Sequence, residues 1–175
     1  MFIINNIFTV YTLYFLYGLA FLFLGASIAL KDMKASNLKI SNSLWFLSLF
    51  GFIHGSHEWI ELFLLSTRHQ FTYNEIYNIK IFGLIFVGAS FLFLLLFGLS
   101  LIFSINKNKV VKWLKPFAIV LFILMLVYFF KFESDHQNFT FFKFSNNILR
   151  KTFGFFGSLV ASYGLILYSK EVKKI

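Results

Sequence analysis

Cysteine is absent from this chain. Disulfides, thiolate metal sites and cysteine nucleophiles are thereby excluded. Proline occurs once, at Pro116, and no linker or second domain is visible along the 175 residues. Acidic residues are scarce, 7 against 16 basic ones, and residues 1–30 carry no charged side chain at all. No glycine-rich phosphate loop is present. Ser and Thr are scattered, so no nucleophile, base and orienting group can be named, and no catalytic set is assigned.

What the chain has instead is apolar bulk. Hydrophobic residues make up 59% of it, 28 of them Phe, and mean hydropathy is +0.78. A soluble domain of this length cannot hide so much apolar surface. The runs are continuous rather than alternating, which excludes a transmembrane β-barrel. The expected fold is all-α, an integral membrane helical bundle forming one transmembrane domain over residues 1–175. About five spans are expected, at 7–30, 44–66, 79–105, 113–132 and 148–168. The first lacks the positive leader of a signal peptide and reads as a retained span. Pro116 suits a first helical turn, and residues 67–78 read as a polar loop.

The net charge of +9 has no basic stripe on a soluble face, so nucleic acid is not an expected partner. The charge sorts by side instead. With the amino terminus outside, the inner loops and tail hold ten of the 16 basic residues, offset by Asp32 and Glu171 alone, net +8. The outer side holds the other six with five acidic residues, net +1. This asymmetry predicts an outside amino terminus and an inside carboxyl terminus, with the chain a multi-pass protein of the cell (inner) membrane.

One stretch concentrates the chemistry: Leu44 to Ser66, LWFLSLFGFIHGSHEWIELFLLS. At about 100° per residue, His54, His57, Glu58 and Glu61 fall within an arc of about 100°, with Trp45 on the opposite face. His54 lies near mid-membrane and Glu61 about 10 Å nearer the outer surface. Such groups are expensive in hydrocarbon and by default mark a site. They can equally pair with one another or with Arg68, Lys80 or Arg150. Five of the seven acidic residues and all four His lie in the outer half or outer loops. The second and fourth spans both run outward, which predicts that Asp135 and His136 reach a similar depth.

The candidate ligand residues are therefore His54, His57, Glu58, Glu61 and Trp59. The candidate metal ligands are His54, His57, Glu58, Glu61, Asp135 and His136. Imidazole and carboxylate suit a transition metal ion. Haem would need an opposed second His, for which only His136 lies off this helix and its outer loop. The H-x-x-H-E-x-x-E pattern is not the metalloprotease motif. Three functional classes fit: a sensory or ligand-binding module, a subunit of a membrane metalloenzyme or electron-transfer complex, and a transporter or assembly component with the polar face lining a path. Tyr11, Tyr14, Tyr17 and Gly18 recur on one side of the first span and read as helix packing, with Gly18 and Gly25 allowing close approach.

Three blocks carry a resemblance. The first is Tyr17-Gly18-x-x-Phe21-x-x-x-Gly25. The second is Phe50-Gly51-x-x-His54-Gly55-x-x-Glu58-Trp59, and the third is Gly154-Phe155-Phe156-Gly157. Together they resemble the amino-terminal multispan membrane region that precedes PAS, histidine-kinase and diguanylate-cyclase modules in bacterial signalling proteins. The H-G-x-x-E-W block is the specific one. The resemblance implies an input module that senses something in or outside the membrane and passes a conformational change inward. Its partners would be the lipid bilayer and a cytoplasmic signalling partner or a carboxyl-terminal output domain, within a homo-oligomer or a larger membrane complex. It implies no particular cofactor.

Overall fold

The computed structural model describes residues 2–31, 40–107, 109–133 and 139–173. They form six α-helices: α1 (Phe2–Ala29), α2 (Ser41–Thr67), α3 (Tyr73–Asn106), α4 (Lys109–Glu133), α5 (Phe139–Leu149) and α6 (Phe155–Val172). A 3-10 turn, Arg68–Gln70, follows α2, and a π-helical turn, Arg150–Gly154, joins α5 to α6. The chain is all-α, as expected. Four stretches are long and apolar enough to cross a membrane: Ile7–Ala29, Tyr73–Asn106, Lys109–Lys131 and Phe141–Val172. Helix α2 matches them in length with 27 residues, but its His and Glu residues make it less apolar.

Helix α3 is the hub. It packs against α2, α4, α5 and α6, while α1 packs on α2. The main core lies where α3 meets α4, α5 and the π turn, around Val87, Leu92, Phe122, Phe129, Leu149 and Phe153. A smaller one joins α3 to α6 through Phe97, Leu101 and Ala161. Outward faces are strongly apolar: on α4, Trp113 is 74% exposed and Phe117 62%. Surface of that kind belongs in lipid rather than water.

Three boundaries differ from the sequence expectation. The loop expected at residues 67–78 is shorter, because α3 already begins at Tyr73. Thr72 and Glu75 form a capping box there: the Thr72 amide donates to Glu75 Oε2 at 2.8 Å, and the Thr72 side chain accepts from the Glu75 amide. The T-x-x-E pattern is the signal that marks this start. The Phe-rich segment expected as a loop before residue 148 is helix α5. Phe141, Phe142, Ser145 and Leu149 are its buried residues, a helical spacing that Phe on every face obscures. Pro116 lies inside α4 rather than in its first turn, since the helix starts at Lys109. The second and fourth helices both pack on α3.

Candidate functional site

Helix α2 is held by its glycines. A Cβ on Gly51 would lie 2.7 Å from the Gly25 nitrogen and the Phe21 carbonyl oxygen, and one on Gly55 would lie 2.7 Å from the Gly18 carbonyl oxygen. Only hydrogen fits at these crossings, so α1 and α2 approach backbone to backbone. Side chains then bond across the seam. Ser48 Oγ donates to the Gly25 carbonyl at 2.8 Å, Tyr11 Oη to that of Leu65 at 3.1 Å, and Trp59 Nε1 to that of Phe15 at 3.3 Å. The first two sequence blocks singled out above are therefore the two sides of one interface. With α1 packed behind it, α2 turns its polar stripe toward α3 and α5.

His54 and His57 are each 2% exposed and Glu58 4%. His54 forms the closed inner end of the stripe. The rings of Phe21, Phe50, Phe91 and Tyr17 surround it at centroid distances of 4.5, 5.3, 5.3 and 6.0 Å. Ser90 Oγ donates its one proton to the Val87 carbonyl at 2.7 Å. At 3.0 Å from His54 Nδ1 it therefore accepts, which places the ring proton on Nδ1. His54 Nε2 then faces Glu58 Oε1 at 3.6 Å. Glu58 Oε1 also lies 3.8 Å from Arg150 Nη2, and Asn146 Oδ1 accepts from Arg150 Nε at 3.0 Å.

Outward from this pair opens a cavity of about 340 Å³. Helix α2 contributes His57, Glu58 and Glu61 to its wall, and α1 contributes Tyr14. Across from them stand Lys80 of α3, Asn146 of α5 and Arg150 of the π turn. Lys80 Nζ donates to both oxygens of Glu61, at 2.9 and 3.2 Å. Among the described residues His57 Nδ1 is buried and makes no hydrogen bond within 3.5 Å, with the Gly83 backbone beside it. Leu64, Leu84 and Phe142 supply apolar wall.

The sequence-derived candidates thus divide. His57, Glu58 and Glu61 line the cavity. His54 lies behind it, and Trp59 faces the other way, onto a shallow groove with Phe15, Leu62 and Phe63. Asp135 and His136 lie outside the described residues. Among the described residues no three His, Asp or Glu side chains gather as a metal ion would need: His54 is committed to Ser90 and enclosed by rings, and Glu61 is turned to Lys80. The only described His off α2 is His69, exposed on the 3-10 turn that follows it, so no facing helix among the described residues offers a second axial ligand for haem.

Arg150 and Lys80, anticipated only as charge partners, are walls of the cavity. Tyr14 was expected to pack and lines it too. Ser90 and Asn146 carried no sequence signal, because a lone Ser in an apolar helix reads as a packing residue and Asn146 sits in the polar run Ser145-Asn146-Asn147. No protein-family model, curated protein or solved structure matches the chain.

Proposed function

We propose that the chain is a membrane-embedded sensory module of the bacterial inner membrane that binds a ligand in the cavity beside α2. Helices α1 to α4 and the continuous α5–α6 rod make five crossings, amino terminus outside and carboxyl terminus inside, so the cavity opens toward the outer side. The observation that carries this reading is the buried His57 and Glu58 on the wall of an open cavity. Polar groups are kept at such depth where they meet a ligand. The blind inner end, closed by rings around His54, favours a binding site over a transport path. The resemblance to sensor regions of signalling proteins points the same way.

Binding at this place bears on the last helix by a short route. Arg150 touches Glu58 at 3.8 Å and belongs to the π turn that leads directly into α6. A π turn is a single-turn irregularity within a helix, and such turns recur at functional sites. A ligand that repositions Arg150 would alter the attitude of α6 and so of the inner tail.

Hydrogen exchange tests this coupling without knowledge of the ligand. Glu58→Gln removes the charge that Arg150 faces. Exchange of amides 155–172 is then expected to change about fivefold, the scale of a 1 kcal/mol coupling, while the lipid-facing helix 109–133 stays unchanged. Exchange in α6 identical to wild type would refute the coupling.

A further inference from the structure

The cavity's charge is lopsided. Arg68, Lys80, Lys143 and Arg150 line it, brought from the 3-10 turn, α3, α5 and the π turn, against Glu58 and Glu61 alone. Four cationic side chains therefore stand on its wall against two carboxylates. Glu61 is held at both oxygens by Lys80, which leaves it little capacity for a cationic ligand. We infer that the cavity takes a phosphate-monoester oxyanion whose organic part carries a hydroxyl; this rests on the reading of the cavity as a ligand site.

Four observations fit that chemistry. A phosphate monoester carries about two negative charges near neutral pH and presents three acceptor oxygens. Arg150 is oriented by Asn146 at its Nε, and its Nη2 stands 3.8 Å from Glu58, beyond hydrogen-bond reach, so its fork has donors to offer an oxyanion. His57 Nδ1 makes no hydrogen bond within 3.5 Å among the described residues, and a hydroxyl can serve an imidazole nitrogen as donor or acceptor. Gly83 adds no side chain to this wall, where a Cβ would stand in ordinary contact, 3.7 Å from His57 Nδ1 and 3.8 Å from Glu61 Oε1. The apolar wall at Leu64, Leu84 and Phe142 suits a carbon stem. The same head could arrive on a soluble monoester or on a phosphomonoester lipid.

The test uses the full chain in nanodiscs of neutral phosphocholine lipid, titrated with glycerol phosphate and with inorganic phosphate by calorimetry. Nanodiscs containing phosphatidic acid form the second arm. Saturable binding is expected in at least one arm. It should weaken about tenfold in Arg150→Gln and in the exposed Lys143→Gln, and stay unmoved in Trp113→Ala on the far lipid face. A soluble source is identified by monoester binding that phosphatidic acid does not compete away, and a lipid source by phosphatidic acid that stays bound in native mass spectrometry and displaces the monoester. No saturable binding in either arm, or binding that survives both cavity substitutions, overturns the inference. A changed α6 exchange in Glu58→Gln alongside such a failure would leave the sensory reading standing without this ligand class.

Discussion

Gly98→Leu is expected to separate α6 from α3 and to lower stability by about 3 kcal/mol or more. A Cβ at Gly98 would lie 2.5 Å from the Ala161 nitrogen and 2.6 Å from the Val160 carbonyl carbon. Both are backbone atoms of the facing helix, so no side-chain rotation can relieve the clash. Gly164 lies on the same seam, 3.1 Å from the Gly98 carbonyl oxygen as measured from its own built Cβ. Unfolding in mixed micelles measures the loss. Gly83→Ala is the comparison: its added methyl meets nothing closer than 3.7 Å, and alanine is the better helix former by about 1 kcal/mol. It should be neutral or mildly stabilising. Equal losses at the two positions would mean that backbone contact between α3 and α6 is not what joins them.

Arg150→Leu has the second large effect. Glu58 is 4% exposed and loses the guanidinium that faces it at 3.8 Å. Stripping one partner from a buried ion pair costs about 3–5 kcal/mol. Arg150 is about half exposed and its contact with Glu58 is long, so a smaller loss, about 2 kcal/mol, is expected. Adding Glu58→Gln to Arg150→Leu removes the stranded charge and should recover about half of it. If the double variant is no more stable than the single, the pair contributes nothing beyond the packing of the arginine stem.

These two expectations draw on different amounts of sequence information. The all-α class and the approximate helix bounds follow from continuous apolar runs, and the helices of the structure lie within a few residues of the expected spans except around residues 73–78 and 139–147. The polar stripe on α2 was equally legible, because His54, His57, Glu58 and Glu61 share one face at helical spacing whatever surrounds them. The order of the helices around α3 was not, since Phe and Leu on every side of each helix leave no single apolar face to read. That also hid which cations would meet the stripe. Lys80 and Arg150 lie 19 and 92 positions beyond Glu61 and Glu58, and nothing in their local sequence distinguishes them from interfacial charges. The glycine blocks could be recognised as close-approach devices, yet only the structure pairs Gly18 and Gly25 with Gly55 and Gly51. The division of labour within the stripe was likewise invisible: His54 is enclosed by rings contributed from α1, α2 and α3, and Trp59 looks away from the cavity.

The absence of cysteine makes one measurement especially clean, because a single introduced thiol is the only one in the chain. Glu61→Cys and Asn146→Cys line the cavity, whereas Phe117→Cys sits on the exposed face of α4. A membrane-impermeant maleimide added to the outside of intact cells should label the two cavity thiols and leave Phe117→Cys silent, because lipid rather than water covers it. Labelling of Phe117→Cys with silence at both cavity positions would contradict the account.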